Sequence, residues 1–383
     1  MKLKNGKPLL YVPALRLKQG ECRGLWRLAP DVADKILPRL VVPPPKDIDP
    51  EHQRLLTKDE IVYGTGRRIA DSWHMREALL DVTYLFKEFG EDESHQWLPR
   101  LFSVARDNHA DVIPVLTIKD TLSVRAMGFR QALRVNQQLK AALRVTYDEV
   151  NSELGGRLKT ALKVMGLQSQ DCMILVDFAE ADFSAPELVA DVVQGAVEDL
   201  QRLGRWQSVV FQGTNYPDKN PAVAGDHFLV PRNEWLAWQQ AIKLDAKSPE
   251  QLVFGDYGAD CATFEFRKVG GGIPIRHYRY TTPDSLLVVR GADTGKNDVV
   301  MPEVAARVVS GGHFAGREFS SADDLIFQTA KRWVGPGNGT TWREINTTHH
   351  ITRVVRDIGK IKGISFRDRL VSTPAMQTSL FEN

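Results

Sequence analysis

The apolar positions of the chain follow two rhythms. One is a set of short runs rich in Val, Ile, Leu and aromatic residues: "LLYVPALRL" (9–17), "RLVVPPP" (39–45), "ALLDVTYL" (78–85), "DVIPVLTI" (111–118), "ALRVTY" (142–147), "MILVDF" (173–178), "SVVFQG" (208–213) and "LVFGDY" (252–257). Such runs read as strands, and the prolines at 43–45 end the second one. The other rhythm is helical. In 184–204, Leu188, Val189, Val192, Val193, Val197 and Leu200 recur at helical spacing. Ser184 is the expected cap there, Pro186 lies in the first turn, Glu187 supplies the capping-box acid, and Gly204 stops the helix. Residues 233–242, "NEWLAWQQAI", form a second helical stretch. Eight strands alternating with helices predict parallel β/α units closed into a TIM-like (β/α)8 barrel over 9–260. A doubly wound open sheet shares the local pattern and differs in strand count.

After Tyr257 the texture changes. Residues 261–291 alternate apolar and polar positions, interrupted by Gly270, Gly271 and Gly272, which predicts antiparallel hairpins outside the barrel. Helical stretches follow at 301–310, 320–333 and 341–360. The expected organisation is a barrel, a hairpin and helical elaboration packed on it over 261–360, and a flexible tail over 361–383.

Composition narrows the function classes. The chain has 383 residues, and its 50 basic and 48 acidic side chains leave a net charge of +2, so a globally basic nucleic-acid binder is not indicated. Cys22, Cys172 and Cys261 are far apart and form no CxxC, which supports neither a disulfide framework nor a cysteine zinc site. There is no HExxH spacing, and no metal is assigned. The Gly-rich pieces 63–68, 268–274 and 335–340 match neither a Walker loop nor a Rossmann fingerprint, so no cofactor is identified; Arg67 and Arg68 in the first could meet an anion. No leader and no membrane-length apolar run are visible, and a cytoplasmic protein is expected.

In a barrel of this kind, polar residues at the C-terminal ends of the strands line the functional face. That rule selects Lys18 and Glu21 after the first strand, Asp81 in the third and Lys119 after the fourth. It also selects Asp177, Gln212, Tyr216, Asp256 and Tyr257. An aspartate inside "MILVDF" is a buried charge that needs a partner or a task. Arg343, His349 and His350 lie in "GPGNGTTWREINTTHHITRVV". Adjacent histidines on a helix face different ways, so both cannot bind one metal, whereas one can act as a general acid or base or donate to a phosphate. Glu21, Asp177, Asp256, Arg343, His349 and His350 therefore make a candidate catalytic set, and Lys18, Lys119 and Arg276 are candidate anion contacts. In "RHYRY" (276–280), strand alternation puts Arg276, Tyr278 and Tyr280 on one face, a cationic–aromatic pattern that suits nucleic acid.

"YVPALRLKQGE", "PRLVVPPP", "FGDYGAD", "RYTTPDSLLVVRG", "FAGREFSSADDLI" and "GNGTTWREINTTHHITRVV", in this order, resemble the beta-protein family, named for a T-even phage protein. The resemblance runs from about residue 10 to residue 358. Its most distinctive block reads here as Gly337, Asn338, Trp342, Arg343, Asn346, His349 and His350. It implies a setting among phage and mobile-element genes, hence phage–host conflict, and supplies no catalytic residues.

The tail lies outside that resemblance. Gln377, Thr378, Ser379, Leu380 and Phe381 spell "QTSLF", which resembles the peptide that docks bacterial polymerases and repair proteins on the DNA sliding clamp. The glutamine amide would bond at the pocket rim and Leu380 and Phe381 would fill an apolar groove. Thr378 departs from the preferred leucine. Just upstream, Arg353, Arg356, Lys360, Lys362, Arg367 and Arg369 stand against Asp357 and Asp368, a balance that suits DNA held near a clamp. Three readings stay open: a clamp-recruited factor that senses or interferes with replication, a nucleotide or phosphodiester hydrolase at the barrel mouth, and a scaffold for a co-encoded effector protein.

Overall fold

Parallel strands covered by helices on one face and by the barrel interior on the other are apolar throughout, and the eight apolar runs all become strands. In a computed structural model that describes residues 1–44, 56–179, 181–244, 252–263 and 274–371, the strands are β1 (Tyr11–Arg16), β2 (Arg39–Val41), β3 (Glu77–Asp81), β4 (Asp111–Thr117), β5 (Ala141–Thr146), β6 (Cys172–Asp177), β7 (Ser208–Gln212), β8 (His227–Pro231), β9 (Leu252–Asp256), β10 (His277–Thr281) and β11 (Ser285–Arg290). β1 to β7 and β9 pair in parallel and close into a barrel, with Tyr11, Val12 and Pro13 of β1 opposite Phe254, Gly255 and Asp256 of β9.

Strand alternation splits the apolar residues into two cores. Val12, Leu79, Ile113, Val115, Ala142, Met173, Leu175, Val210 and Val253 fill the barrel, together with Leu3 and Leu9. Tyr11, Leu80, Val112, Leu143, Ile174, Phe211 and Phe254 face outward and pack under the helices.

A second sheet, in the order β10-β11-β8, stands outside the barrel. One face, through Tyr278, Tyr280, Leu287 and Val289, packs on helices Asn297–Ser310, Ser321–Ala330 and Gly339–Ile361. The other, through Val230, Leu286 and Val288, covers Tyr216, Ala259 and Cys261. The β10–β11 hairpin falls inside the expected 261–291. The third strand does not: it comes from the segment between β7 and β9. The helix at Pro186–Leu203 also starts differently from expectation. Ala185 takes the N-cap position without a side-chain cap, because the Ser184 hydroxyl donates to Asp182 at 2.9 Å.

Candidate functional site

The first site layer follows from strand parity. Met173 and Leu175 point into the barrel, so Asp177, two residues on, does too. There it accepts from Arg144 Nε at 2.7 Å, from the Tyr257 hydroxyl at 2.7 Å and from the Ala179 backbone N–H at 3.0 Å. Arg39 donates to Asp81 at 2.7 and 2.9 Å and to Gln212 at 2.5 Å, and lies 3.7 Å from Asp177. Above the apolar filling, then, the barrel carries a layer of two arginines and two aspartates, buried except for the partly exposed Arg144. Burial alone would raise the Asp81 carboxyl, but Arg39 and Arg144 outweigh it and hold it below its usual range. Burial, reinforced by Asp177, pushes the Tyr257 phenol up.

Asp256 has the parity of Phe254 and points the other way, out of the barrel. It accepts from the Tyr11 hydroxyl and from the Gly258 N–H at 2.9 Å, and His350 Nε2 lies 2.9 Å away. The other imidazole nitrogen, Nδ1, is 2.8 Å from the Thr281 hydroxyl. His349 serves a different network. Its Nδ1 is 3.0 Å from Asp323 and its Nε2 2.8 Å from the Thr281 carbonyl, and its ring stacks on Tyr280 at 3.8 Å. Both imidazoles are 1% exposed, and both nitrogens of each are engaged.

Glu234 lies beside the Asp256 network and has a pH consequence. Burial, with Asp256 adding its charge, pushes its carboxyl from the usual 4.5 up to about 7. A raised folded value means that the folded state holds the proton more tightly than the unfolded chain. The stabilisation is complete below pH 4.5 and is lost as pH rises through about 7. Glu234→Gln should therefore match the parent near pH 4.5 and exceed it above pH 7 by roughly 3 kcal/mol at most. Urea denaturation across that range reads this directly; equal pH slopes for parent and variant would refute it.

A third network gathers on Asp260. Arg16, Arg279 and Arg343 all donate to its carboxylate, Arg343 Nη1 at 2.6 Å. Arg16 Nε also donates to Glu21 at 3.0 Å, and Arg343 Nε lies 3.7 Å from it. Burial would raise the Asp260 carboxyl; Arg279, Arg343 and Arg16 overcome this and hold it well below the carboxylate range. Burial and the adjacent Arg279 charge push His277 down to about 3, so this imidazole is neutral. Arg343 arrives here because helix Gln19–Trp26 carries Gly20 and Gly24 on one face. A Cβ at Gly20 would stand 2.7 Å from Arg343 Cβ, and one at Gly24 2.7 Å from Thr347 Cβ. Only hydrogen at both positions lets the C-terminal helix lie this close.

The distinctive block of that helix is now accounted for residue by residue. Gly337 has a φ of +66°, Asn338 caps the helix by accepting from the N–H groups of Thr340 and Thr341, and Trp342 donates to the Pro336 carbonyl. Asn346 accepts from the Arg279 N–H at 3.0 Å, while Arg343, His349 and His350 reach Asp260, Asp323 and Asp256. A family model described as Beta protein matches residues 11–356. The chain belongs to the beta-protein family. The match begins at the first residue of β1 and ends within the last turns of the C-terminal helix. Among curated proteins no match is found.

In this beta-protein barrel the candidate catalytic residues divide among several hydrogen-bonded networks, with Asp256 beside His350 and Glu21 beside Arg343. Asp177 sits in the inward layer, Asp256 and His350 form the outward network, His349 belongs to Asp323, and Glu21 and Arg343 belong to the Asp260 cluster. Of the candidate anion contacts, Lys18 occupies the N-cap position of helix Gln19–Trp26 and Lys119 is exposed. Arg276 lies elsewhere, donating to the carbonyls of Asp293, Thr294 and Gly295. The Tyr278 and Tyr280 face of β10 is buried in the outer core, so it is not a nucleic-acid platform. Nor is the basic run a free stripe. Arg353 is buried beside Asp357 at 3.6 Å, and Arg356 pairs with Asp368 at 2.7 Å. Gln377, Ser379, Leu380 and Phe381 lie outside the described residues.

Sequence reasoning missed Arg16, Arg39, Arg144 and Asp260. The signal for the arginines was the one that flagged Asp177: a charge inside an apolar strand. Among the described residues no group of three or more His, Cys, Asp or Glu side chains is placed to hold a metal ion, and no helix is long and apolar enough to cross a membrane.

Proposed function

We propose that this beta-family protein is a binding factor recruited to the bacterial sliding clamp through Gln377–Phe381, acting at replicating DNA in phage–host conflict. The "QTSLF" peptide is the observation that carries the reading. Its glutamine, serine and Leu-Phe pair supply a polar rim contact and two adjacent apolar anchors, the economy of a short linear motif. The distribution of the mouth residues lends support by weakening the hydrolytic alternative. A general base must present a free lone pair to substrate. Asp177 and Asp256 instead each accept several hydrogen bonds inside the protein, and His350 is buried between Asp256 and Thr281.

Titration calorimetry of the full chain against purified bacterial clamp should give a Kd on the order of micromolar, as befits a short peptide. Replacing Gln377, Leu380 and Phe381 together with alanine should abolish binding and leave the melting temperature unchanged. Equal binding by the triple variant would end the clamp reading. Turnover of a nucleotide or DNA by the pure protein, lost in Asp177→Asn or Asp256→Asn variants that still fold, would replace it with the hydrolytic one.

A further inference from the structure

The outer sheet, in the order β10-β11-β8, ends on β8. β8 and β11 bond through alternate residues: the Arg290 N–H donates to the Asp226 carbonyl and the Arg232 N–H to the Asp284 carbonyl, both at 2.9 Å. The register between them, with Phe228 opposite Val288 and Val230 opposite Leu286, points those two residues the same way. His227, Leu229 and Pro231 therefore turn their backbone groups away from β11. The ends of this outward row are occupied. The His227 N–H donates to the Asp226 carboxylate at 2.7 Å, proline has no N–H, and the Pro231 carbonyl accepts from Asn215 Nδ2 at 2.8 Å. Of the three, Leu229 keeps both its N–H and its carbonyl, and neither is bonded among the described residues.

The edge is also apolar. Sheet edges are usually blunted by charged side chains or covered, yet β8 reads His-Phe-Leu-Val-Pro, with Phe228 48% and Leu229 43% exposed. Val223, just before the strand, and Leu236, in the first turn of helix Asn233–Leu244, are exposed as well. The bonding pattern favours one occupant. An ordinary strand laid along β8 would place carbonyls opposite His227 and Pro231, where no N–H is available. A second β8, running antiparallel and centred on the same leucine, sets its Pro231 against His227. That Pro231 carbonyl is already bonded to Asn215, so the His227 carbonyls are left to water while the two Leu229 residues exchange N–H to carbonyl bonds.

We propose that β8 is a self-association edge: two copies of the chain pair antiparallel about a two-fold axis through Leu229, joining their outer sheets into one. The same patch serves both copies, so the contact closes on itself as a dimer rather than growing into a filament. The contact is small, because β8 has 5 residues where a standard interface uses about 20–30 residues a side. The dimer is therefore reversible, with a Kd on the order of tens of micromolar. Nothing in this assignment depends on the tail, so it stands or falls apart from clamp recruitment.

The test is sedimentation equilibrium of the full chain from about 1 to 200 μM, which should show a monomer–dimer equilibrium. Leu229→Lys places like charges opposite each other across the axis. It should keep the parent's melting temperature in dilute solution and weaken the dimer about tenfold or more. Leu229→Pro removes the outward N–H at an edge position, where proline is tolerated, and should act the same way. Leu229→Cys would set two thiols on residues whose Cα atoms lie about 5.5 Å apart, within disulfide reach. Mild oxidation should then give a covalent dimer that the parent, whose three cysteines are buried, does not form. A monomer at every concentration would overturn the proposal, as would a dimer that Leu229→Lys leaves intact or a Leu229→Cys variant that does not cross-link. A chain that stays monomeric while an added extended peptide protects the Leu229 amide from hydrogen exchange would assign the edge to a foreign strand instead.

Discussion

Asp260→Asn will cost the fold about 3–5 kcal/mol at neutral pH, because removing one partner of a buried ion cluster strands the others. Here it takes from Arg16, Arg279 and Arg343 the carboxylate to which all three donate. The pH dependence has a definite sign. The folded carboxyl lies well below its usual 3.8, so its contribution is present above that value and is lost as pH falls through the lower, folded one. Urea denaturation at pH 7 measures the loss, and a double variant with Arg343→Met should recover part of it by removing one stranded charge. A single-variant loss below about 1 kcal/mol would show that the cluster does not hold the outer sheet and C-terminal helix to the barrel.

Gly24→Val will be nearly as damaging, at about 3 kcal/mol, the upper end of what overpacking usually costs. The new side chain would start 2.7 Å from Thr347 Cβ and 3.2 Å from the Glu344 carbonyl, in a contact where backbone cannot yield. Forcing the helices apart would also draw Arg343 off Asp260 and His350 off Asp256. Gly156→Ala is the matched control. It lies in helix Leu154–Met165 with nothing within 4 Å of the added Cβ, and should gain roughly 0.5–1 kcal/mol. Equal melting temperatures for parent and Gly24→Val would refute the close-packing account.

Much of the barrel could be read from the chain because its physics is local. A strand buried on both faces has to be apolar, and "MILVDF" or "SVVFQG" has few other ways to be used. β8 was not legible for the opposite reason. Its His227, Phe228 and Leu229 remain exposed, with no alternation to mark a strand, and it exists because β11 pairs with it across a long stretch of chain. The candidate residues were found by a rule that identifies strand ends but not which face of the strand they take. Parity resolves that only once the inward set is known: Asp177 shares it with Met173 and Leu175, whereas Asp256 opposes Val253. The partners were harder still. Arg16, Arg39 and Arg144 sit at strand positions, but what makes them a layer and a cluster is barrel closure and the arrival of the C-terminal helix, neither of which any short window contains.

The close helix pair also sets a timetable for synthesis. Thr348 donates to the carbonyl of Gly24 across a sequence separation of 324 residues. At about 5–20 residues per second, a ribosome takes roughly 16–65 s to deliver that partner. For all that time Arg16 lacks the helix that completes its surroundings, and Asp256, once made, waits a further 94 residues for His350. The first strand therefore reaches its final electrostatic environment almost last, and a message truncated before codon 343 would yield a chain whose charged seam never closes, a ready substrate for chaperones and proteases.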